Sequence, residues 1–232
     1  MKNRSVLVFA ISLSFMLFSC GRPTREPGLS KGEIAVSESQ NSPILTPDEA
    51  IRELKNGNKR FMDGKLVNTN YKQQIERSKS GQKPHSAILA CMDSRVPPEI
   101  VFDQGIGNIF TIRIAGNIED ENVLGSLEYA VEHSGSKLIV VLGHSHCGAI
   151  TGAVEDVKLG NLTQLLDQIK PALTSGSGED DIIERTARNN IKITINDILR
   201  KSEIIRELMN QKTIAVVGAF YNIETGEVTF ME

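Results

Sequence analysis

Two unbroken apolar runs of strand length do most to limit what this chain can fold into. Ser86 to Cys91 (Ser-Ala-Ile-Leu-Ala-Cys) and Lys137 to Gly143 (Lys-Leu-Ile-Val-Val-Leu-Gly) show no polar alternation inside. A strand with water on one face alternates, so runs like these fit strands covered on both faces, as in a parallel sheet between helices. Asn108 to Ile114 reads as a third strand. Helical segments lie between and around them. Thr46-Pro47-Asp48-Glu49 is a capping box with proline at the first helical position, and Ala50, Leu54 and Phe61 follow at helical spacing. Tyr71 to Ser80 is a second helical stretch, ended by Gly81, and Asp120 to His133 is an amphipathic helix. Helical segments fill Leu162 to Leu208, with breaks near 175 to 178. Thr213 to Tyr221 and Glu227 to Phe230 flank a Glu224-Thr225-Gly226 hairpin turn. The order implies an α/β fold: a mainly parallel central β-sheet flanked by helices, with an antiparallel C-terminal edge strand.

The strand pattern begins only after a different kind of N-terminus. Lys2 and Arg4 precede an apolar run, Val6 to Phe18, which ends at Ser19-Cys20-Gly21. This reads as a secretory signal over residues 1–19, and the run is short against the roughly 20 residues of a membrane span. Leu17-Phe18-Ser19-Cys20 resembles a bacterial lipoprotein signal, with Cys20 lipidated as the first mature residue; Phe18 departs from the small residue usual there. Plain secretion, with cleavage near Ser19, is the alternative. Residues 20–43 are polar and punctuated by Pro and Gly, and read as a flexible tether or an arm lying on a partner; 44–232 form the folded domain. The expected location is therefore outside the bacterial cytoplasm, periplasmic or anchored to a membrane through the N-terminal lipid alone. Loss of Lys2 and Arg4 with the signal would take the formal charge from -3 to -5. No basic footprint for nucleic acid exists, and with no Trp and three Tyr a base-stacking platform is not expected.

Three cysteines cannot close a disulfide framework, so each needs its own account. Cys20 belongs to export. Cys91 ends one apolar strand, and His144 and Cys147 follow the end of another, in Gly143-His144-Ser145-His146-Cys147-Gly148. Ligands of open parallel sheets gather at the carboxyl ends of strands, so these three side chains converge if the strands are neighbours. Two thiolates and an imidazole suit tetrahedral zinc, and three protein ligands leave the fourth position of a catalytic site. Two other arrangements fit the same spacing. One is a closed cage completed by His146, His85 or Asp93; the other is a Cys91–Cys147 disulfide in an oxidising compartment. Cys91-Met92-Asp93-Ser94-Arg95 adds an acid and a base just past the first thiol, and Arg95 could hold Asp93 bidentately.

Cys-Met-Asp-Ser-Arg paired with Gly-His-Ser-His-Cys-Gly-Ala resembles the β-class carbonic anhydrases, and the likeness runs from Thr46 to the Gly218-Ala219-Phe220-Tyr221 hairpin. The resemblance implies one zinc per chain on Cys91, His144 and Cys147, with Asp93 and Arg95 as the catalytic dyad. It implies reversible hydration of carbon dioxide to bicarbonate by a zinc-bound hydroxide oriented by that dyad. It also implies a homodimer or higher homo-oligomer, with projecting N-terminal helices that grip the neighbouring subunit. Matched by distance from the metal ligands, Gln82, Phe110 and Tyr129 fit the substrate pocket of the plant-like branch. That branch keeps an accessible zinc; the other carries a Trp that this chain lacks, so no state with Asp93 on the metal is expected. Gln82 would donate to a substrate oxygen, Phe110 would suit the uncharged gas, and Gly148 would leave room beside Cys147. Tyr129 and His133, four apart on a helix, could pass a proton outward. Hydrolysis of carbon disulfide or carbonyl sulfide on the same scaffold is an alternative, as is a periplasmic zinc-binding protein without turnover.

Overall fold

The structure is a computed structural model that describes residues 43–175 and 178–231. The signal, Cys20 and all but the last residue of the tether lie outside the described residues. In chain order the elements are α1 (Pro47–Met62), α2 (Tyr71–Ser78), β1 (Ser86–Ala90), α3 (Pro98–Val101), β2 (Ile109–Arg113), α4 (Glu121–Glu128), β3 (Leu138–His144), α5 (Gly148–Val154), α6 (Gly160–Ile169), α7 (Glu179–Lys201), α8 (Glu203–Asn210), β4 (Ala215–Tyr221) and β5 (Val228–Phe230). The sheet order is β2-β1-β3-β4-β5. The first four strands in that order are parallel, and β5 runs antiparallel to β4 with Ala219 opposite Phe230.

Both faces of the sheet are covered, which is why its central strands read as continuous apolar runs. Ala87, Leu89, Ile139 and Val141 join one core with residues of α4 to α8. Ile88, Ala90, Leu138, Val140 and Leu142 join the other, with Ala50 and Leu54 of α1 and the residues around α3. Each strand thus sends alternate side chains into different cores, and none of these is solvated.

The two N-terminal helices differ in how they are held: α2 buries only Gln74 and leaves Tyr71 and Ile75 exposed, whereas α1 packs on its own sheet. α1 starts as the sequence indicates, with Thr46 accepting from the Glu49 amide and Glu49 reaching back to the cap. It then lies along its own sheet, because Ala50 and Leu54 are fully buried there. Burying one such leucine contributes about 2 kcal/mol, enough to hold a surface helix in place. Asn58 adds polar stitches: its Nδ2 donates to the Val101 and Gly226 carbonyls, and its Oδ1 accepts from the Val228 amide. Gly57 sets the closeness of approach, since a Cβ there would lie 1.7 Å from the Phe102 carbonyl oxygen. Gly57→Ala should therefore lower stability by about 1–3 kcal/mol, although alanine alone favours a helix by about 1 kcal/mol. A urea midpoint equal to or above wild type would contradict this contact.

Elsewhere the differences are local. The helix expected over Asp120 to His133 is regular only to Glu128, and Tyr129–His133 forms a wider π turn. Ala130 and Val131 are both buried in that turn. The long C-terminal helical region is three helices, divided by a turn at Lys170–Ala172 containing Pro171 and by Ser202, whose Oγ caps α8. α3 and α5, only four and seven residues long, have too few turns for a periodic pattern in the sequence.

Candidate metal centre

β1 and β3 are parallel neighbours, with Ala90 opposite Leu142, so the residues that follow each strand emerge at the same edge. Cys91 is the first residue past β1, His144 is the last of β3, and Cys147 is the N-cap of α5. All three are buried. Their ligand atoms lie within 4.8 Å of one another, and they are the one such His/Cys/Asp/Glu group among the described residues. The two sulfurs are 3.9 Å apart. Tetrahedral zinc with bonds of about 2.3 Å would set them about 3.8 Å apart.

The imidazole points the same way. His144 Nδ1 is 2.8 Å from the Ser145 carbonyl oxygen, which can only accept, so the proton sits on Nδ1. Nε2 then carries the lone pair, is fully buried, and has no hydrogen-bond partner. A buried acceptor without a partner is costly unless a cation occupies the site. Hydrogen bonding from Cys147 pulls the Cys91 thiol below its usual range, while the same contact and burial push Cys147 up. Two thiols this close share a proton, and a thiophilic dication draws it off. The donor set fits zinc.

Asp93 and Arg95 sit just beyond this group and form a two-point ion pair. The Arg95 amide and Nε each donate to Asp93 Oδ1 at 2.9 Å, and Nη2 donates to Oδ2 at 2.7 Å. Arg95 Nη2 also donates to the His146 carbonyl at 3.2 Å, tying the loop after β1 to the loop after β3. The guanidinium holds the Asp93 carboxyl down at about 2. Its Oδ2 stands 4.0 Å from His144 Nε2.

The other candidate fourth ligands are turned away. His146, in a left-handed conformation (φ 52°), is exposed, and its Nε2 meets Glu224 Oε1 at 3.3 Å. His85 is buried at the opposite edge of the sheet, between Ser86 Oγ at 2.8 Å and Gln104 Oε1 at 3.0 Å. Cys91 and Cys147 are free thiols. Burial pushes the pKa of His85 down, so this ring folds neutral. Its contribution is therefore intact above about pH 6.5, the unfolded value, and is lost as pH falls from there through the lower folded value. Unfolding midpoints of wild type should drop more between pH 7 and 5 than those of His85→Gln; equal slopes would remove His85 as the cause.

The expected substrate pocket is not assembled around this triad within one chain. Gln82 precedes β1, Phe110 pairs with Ala87 early in β1, and Tyr129 and His133 lie in the turn before β3. All four are therefore at the amino edge of the sheet, while the triad is at the carboxyl edge. From the Phe110 level to Cys91 is four residues along a strand, roughly 13 Å. Phe110 and Tyr129 meet edge to face at 6.0 Å, and Tyr129 stacks on His133 at 4.8 Å. That column is a ring-to-ring contact, so a proton path from the triad through Tyr129 and His133 is not formed in the chain. Gly148 does lie beside the ligands, and a Cβ there would touch nothing within 4 Å among the described residues.

Several supporting residues escaped the sequence reading. The Gly116 amide donates to Cys91 Sγ at 3.4 Å, and Gly116 has φ 71° in the bend after β2. Ser145 joins the ligand loop to the hairpin: its amide donates to the Tyr221 carbonyl and its Oγ accepts from the Ile223 amide. Arg113, at the end of β2, donates to the Cys91 and Asp93 carbonyls. Only Gly116 had a readable signal, a glycine placed just past a strand end.

A parallel sheet with a buried Cys2His donor set and a clamped carboxylate at its carboxyl edge defines a zinc enzyme of the α/β class. The carbonic anhydrase family model matches residues 86–228. Carbonic anhydrase 2 of Mycobacterium tuberculosis is 33% identical over 199 residues, covering 82% of this chain and 95% of that protein. The carbonic anhydrase of Mycolicibacterium smegmatis is 35% identical over 196 residues, covering 80% and 94%. Among solved structures, a tetrameric β-carbonic anhydrase from Sordaria macrospora superposes with a TM-score of 0.65 at 27% identity, covering 78% of this chain and 96% of that one. This chain belongs to the β-carbonic anhydrase family. It is a carbonic anhydrase, and zinc is its metal.

Proposed function

We propose that the chain interconverts carbon dioxide with bicarbonate and a proton through an Asp93–Arg95 dyad set against a Cys91–His144–Cys147 zinc site. The observation that carries this reading is the two-point Arg95 clamp on a carboxylate 4.0 Å from the free His144 nitrogen. When bound, zinc supplies a Lewis acid that lowers the pKa of a coordinated water to about 7. With its carboxyl held at about 2, Asp93 is an acceptor at every working pH and has no proton to give. It therefore takes a hydrogen bond from the attacking water, aims the oxygen lone pair at carbon, and is kept off the ligand set by Arg95. Gly148 leaves the space in which a linear gas molecule approaches. Bicarbonate leaves, and the proton passes to buffer.

The plant-like pocket residues fit this reading only if a second copy supplies them. Gln82, Phe110 and Tyr129 lie exposed or half-buried at the other edge of their own sheet, so they would line the triad of a neighbour rather than their own. The tetrameric state of the Sordaria macrospora relative supports a homo-oligomer. Export, and an N-terminal lipid on Cys20, rest on the sequence pattern alone; mass spectrometry of the mature N-terminus tests them, and an unmodified Cys20 rejects the lipid. No helix among the described residues is long and apolar enough to cross a membrane.

The functional test is zinc content together with stopped-flow hydration of carbon dioxide. One zinc per chain with fast hydration is the expected result. Zinc without hydration would reject it, and turnover of carbon disulfide or carbonyl sulfide instead would assign the scaffold to that hydrolysis.

A further inference from the structure

Asp93 is fixed through its backbone as well as its carboxylate, and the residue responsible is on a different strand. β1 leaves the sheet after Ala90, whose carbonyl still receives the Ile114 amide. The carbonyls of Cys91 and Asp93 lie beyond that last rung and need other donors. Arg113, opposite Ala90 at the end of edge strand β2, supplies them. Its Nε donates to the Cys91 carbonyl at 3.1 Å, and its Nη2 donates to the Asp93 carbonyl, which also accepts from the Val96 amide. A planar guanidinium can span two carbonyls at once, whereas an ammonium offers a single point of charge. Asp93 therefore sits between two arginines, Arg95 on its side chain and Arg113 on its main chain.

We propose that Arg113 is a positioning residue for the reaction, acting through Asp93. The proposal rests on the functional reading above and adds a second support for its acceptor. The Arg95 clamp on the carboxylate closes a turn only two residues long, and its one tie beyond that turn runs to the His146 carbonyl of another loop rather than to a strand. Arg113 anchors the turn to the sheet and so fixes where the carboxylate stands relative to the triad. A displacement of about 1 Å at such a group costs up to about a hundredfold in rate.

The test is a double-mutant cycle on zinc-loaded enzyme. Arg113→Gln should lower kcat by about ten- to a hundredfold, with KM for carbon dioxide held within about twofold and zinc still at one per chain. In an Asp93→Asn background the same change should alter kcat by less than about twofold, because the group it positions is already gone. Arg113→Lys, which keeps the charge but donates from a single nitrogen, should fall between Gln and wild type; it also serves if Arg113→Gln folds poorly. Equal losses in both backgrounds, loss of zinc in step with activity, or unchanged kcat would each overturn the proposal. A crystal structure of zinc-loaded Arg113→Gln gives a readout independent of turnover: the Asp93 carboxylate should move by about 1 Å or more, and an unmoved carboxylate overturns the idea. A zinc-loaded wild type without hydration activity would instead count against the functional reading, leaving that structural test in force.

Discussion

Cys147→Ser should yield a folded chain that retains little zinc and has lost nearly all carbon dioxide hydration. Cys147 is buried at the N-cap position of α5, where its side chain makes no capping hydrogen bond, so serine fits the space without loss of a cap. What serine lacks is a thiolate. The remaining Cys91 and His144 offer two ligands where catalytic zinc sites use three. Changes one layer further out typically cost 10–100-fold in affinity or activity, so loss of a ligand should exceed about a hundredfold. Zinc per chain and initial hydration rates, measured on the same sample, decide the matter. Stoichiometric zinc with normal turnover would place the metal elsewhere.

Asp93→Asn should separate metal binding from chemistry. The substitution keeps size and one carbonyl oxygen but removes the charge that pairs with Arg95 through two contacts. Zinc should remain at one per chain, because Asp93 is outside the group formed by Cys91, His144 and Cys147. Turnover should drop by about 10²–10⁴, the usual worth of a positioned proton acceptor. Stability should change little, since Arg95 is half exposed and surface ion pairs contribute about 0–1 kcal/mol. Retained activity with bound zinc would remove the dyad from the mechanism.

The parts of the site that could be read in the sequence share one property: they lie where an apolar strand stops. Cys91 and His144 sit at the ends of β1 and β3, and Cys147 is three residues further on. Asp93 and Arg95 were legible because a two-residue spacing in a tight turn leaves few places for them to go. Gln82, Phe110 and Tyr129 match the family's pocket only by their distance along the chain from the ligands. That distance carries no information about which end of a strand a residue occupies, and all three proved to be at the far end. The seat of α1 is hidden in the sequence for a different reason. Its docking face includes Gly57 and Asn58, which look like surface residues until their carbonyl partners are known. Arg113 resembled any charged residue closing a strand.

The 3.9 Å spacing of the sulfurs has a consequence for handling the protein. Zinc acts there as a protecting group. With the metal removed, the thiols need close by less than 2 Å to reach a bond length of about 2.05 Å, and dissolved oxygen can take up the two electrons and two protons released. Chelation then becomes a kinetic partition between remetallation and oxidation. Apo-protein prepared under air should regain activity with zinc only after a reductant, whereas apo-protein kept anaerobic should regain it with zinc alone. Full recovery of the aerated sample without reductant would show that the loops hold the two sulfurs apart.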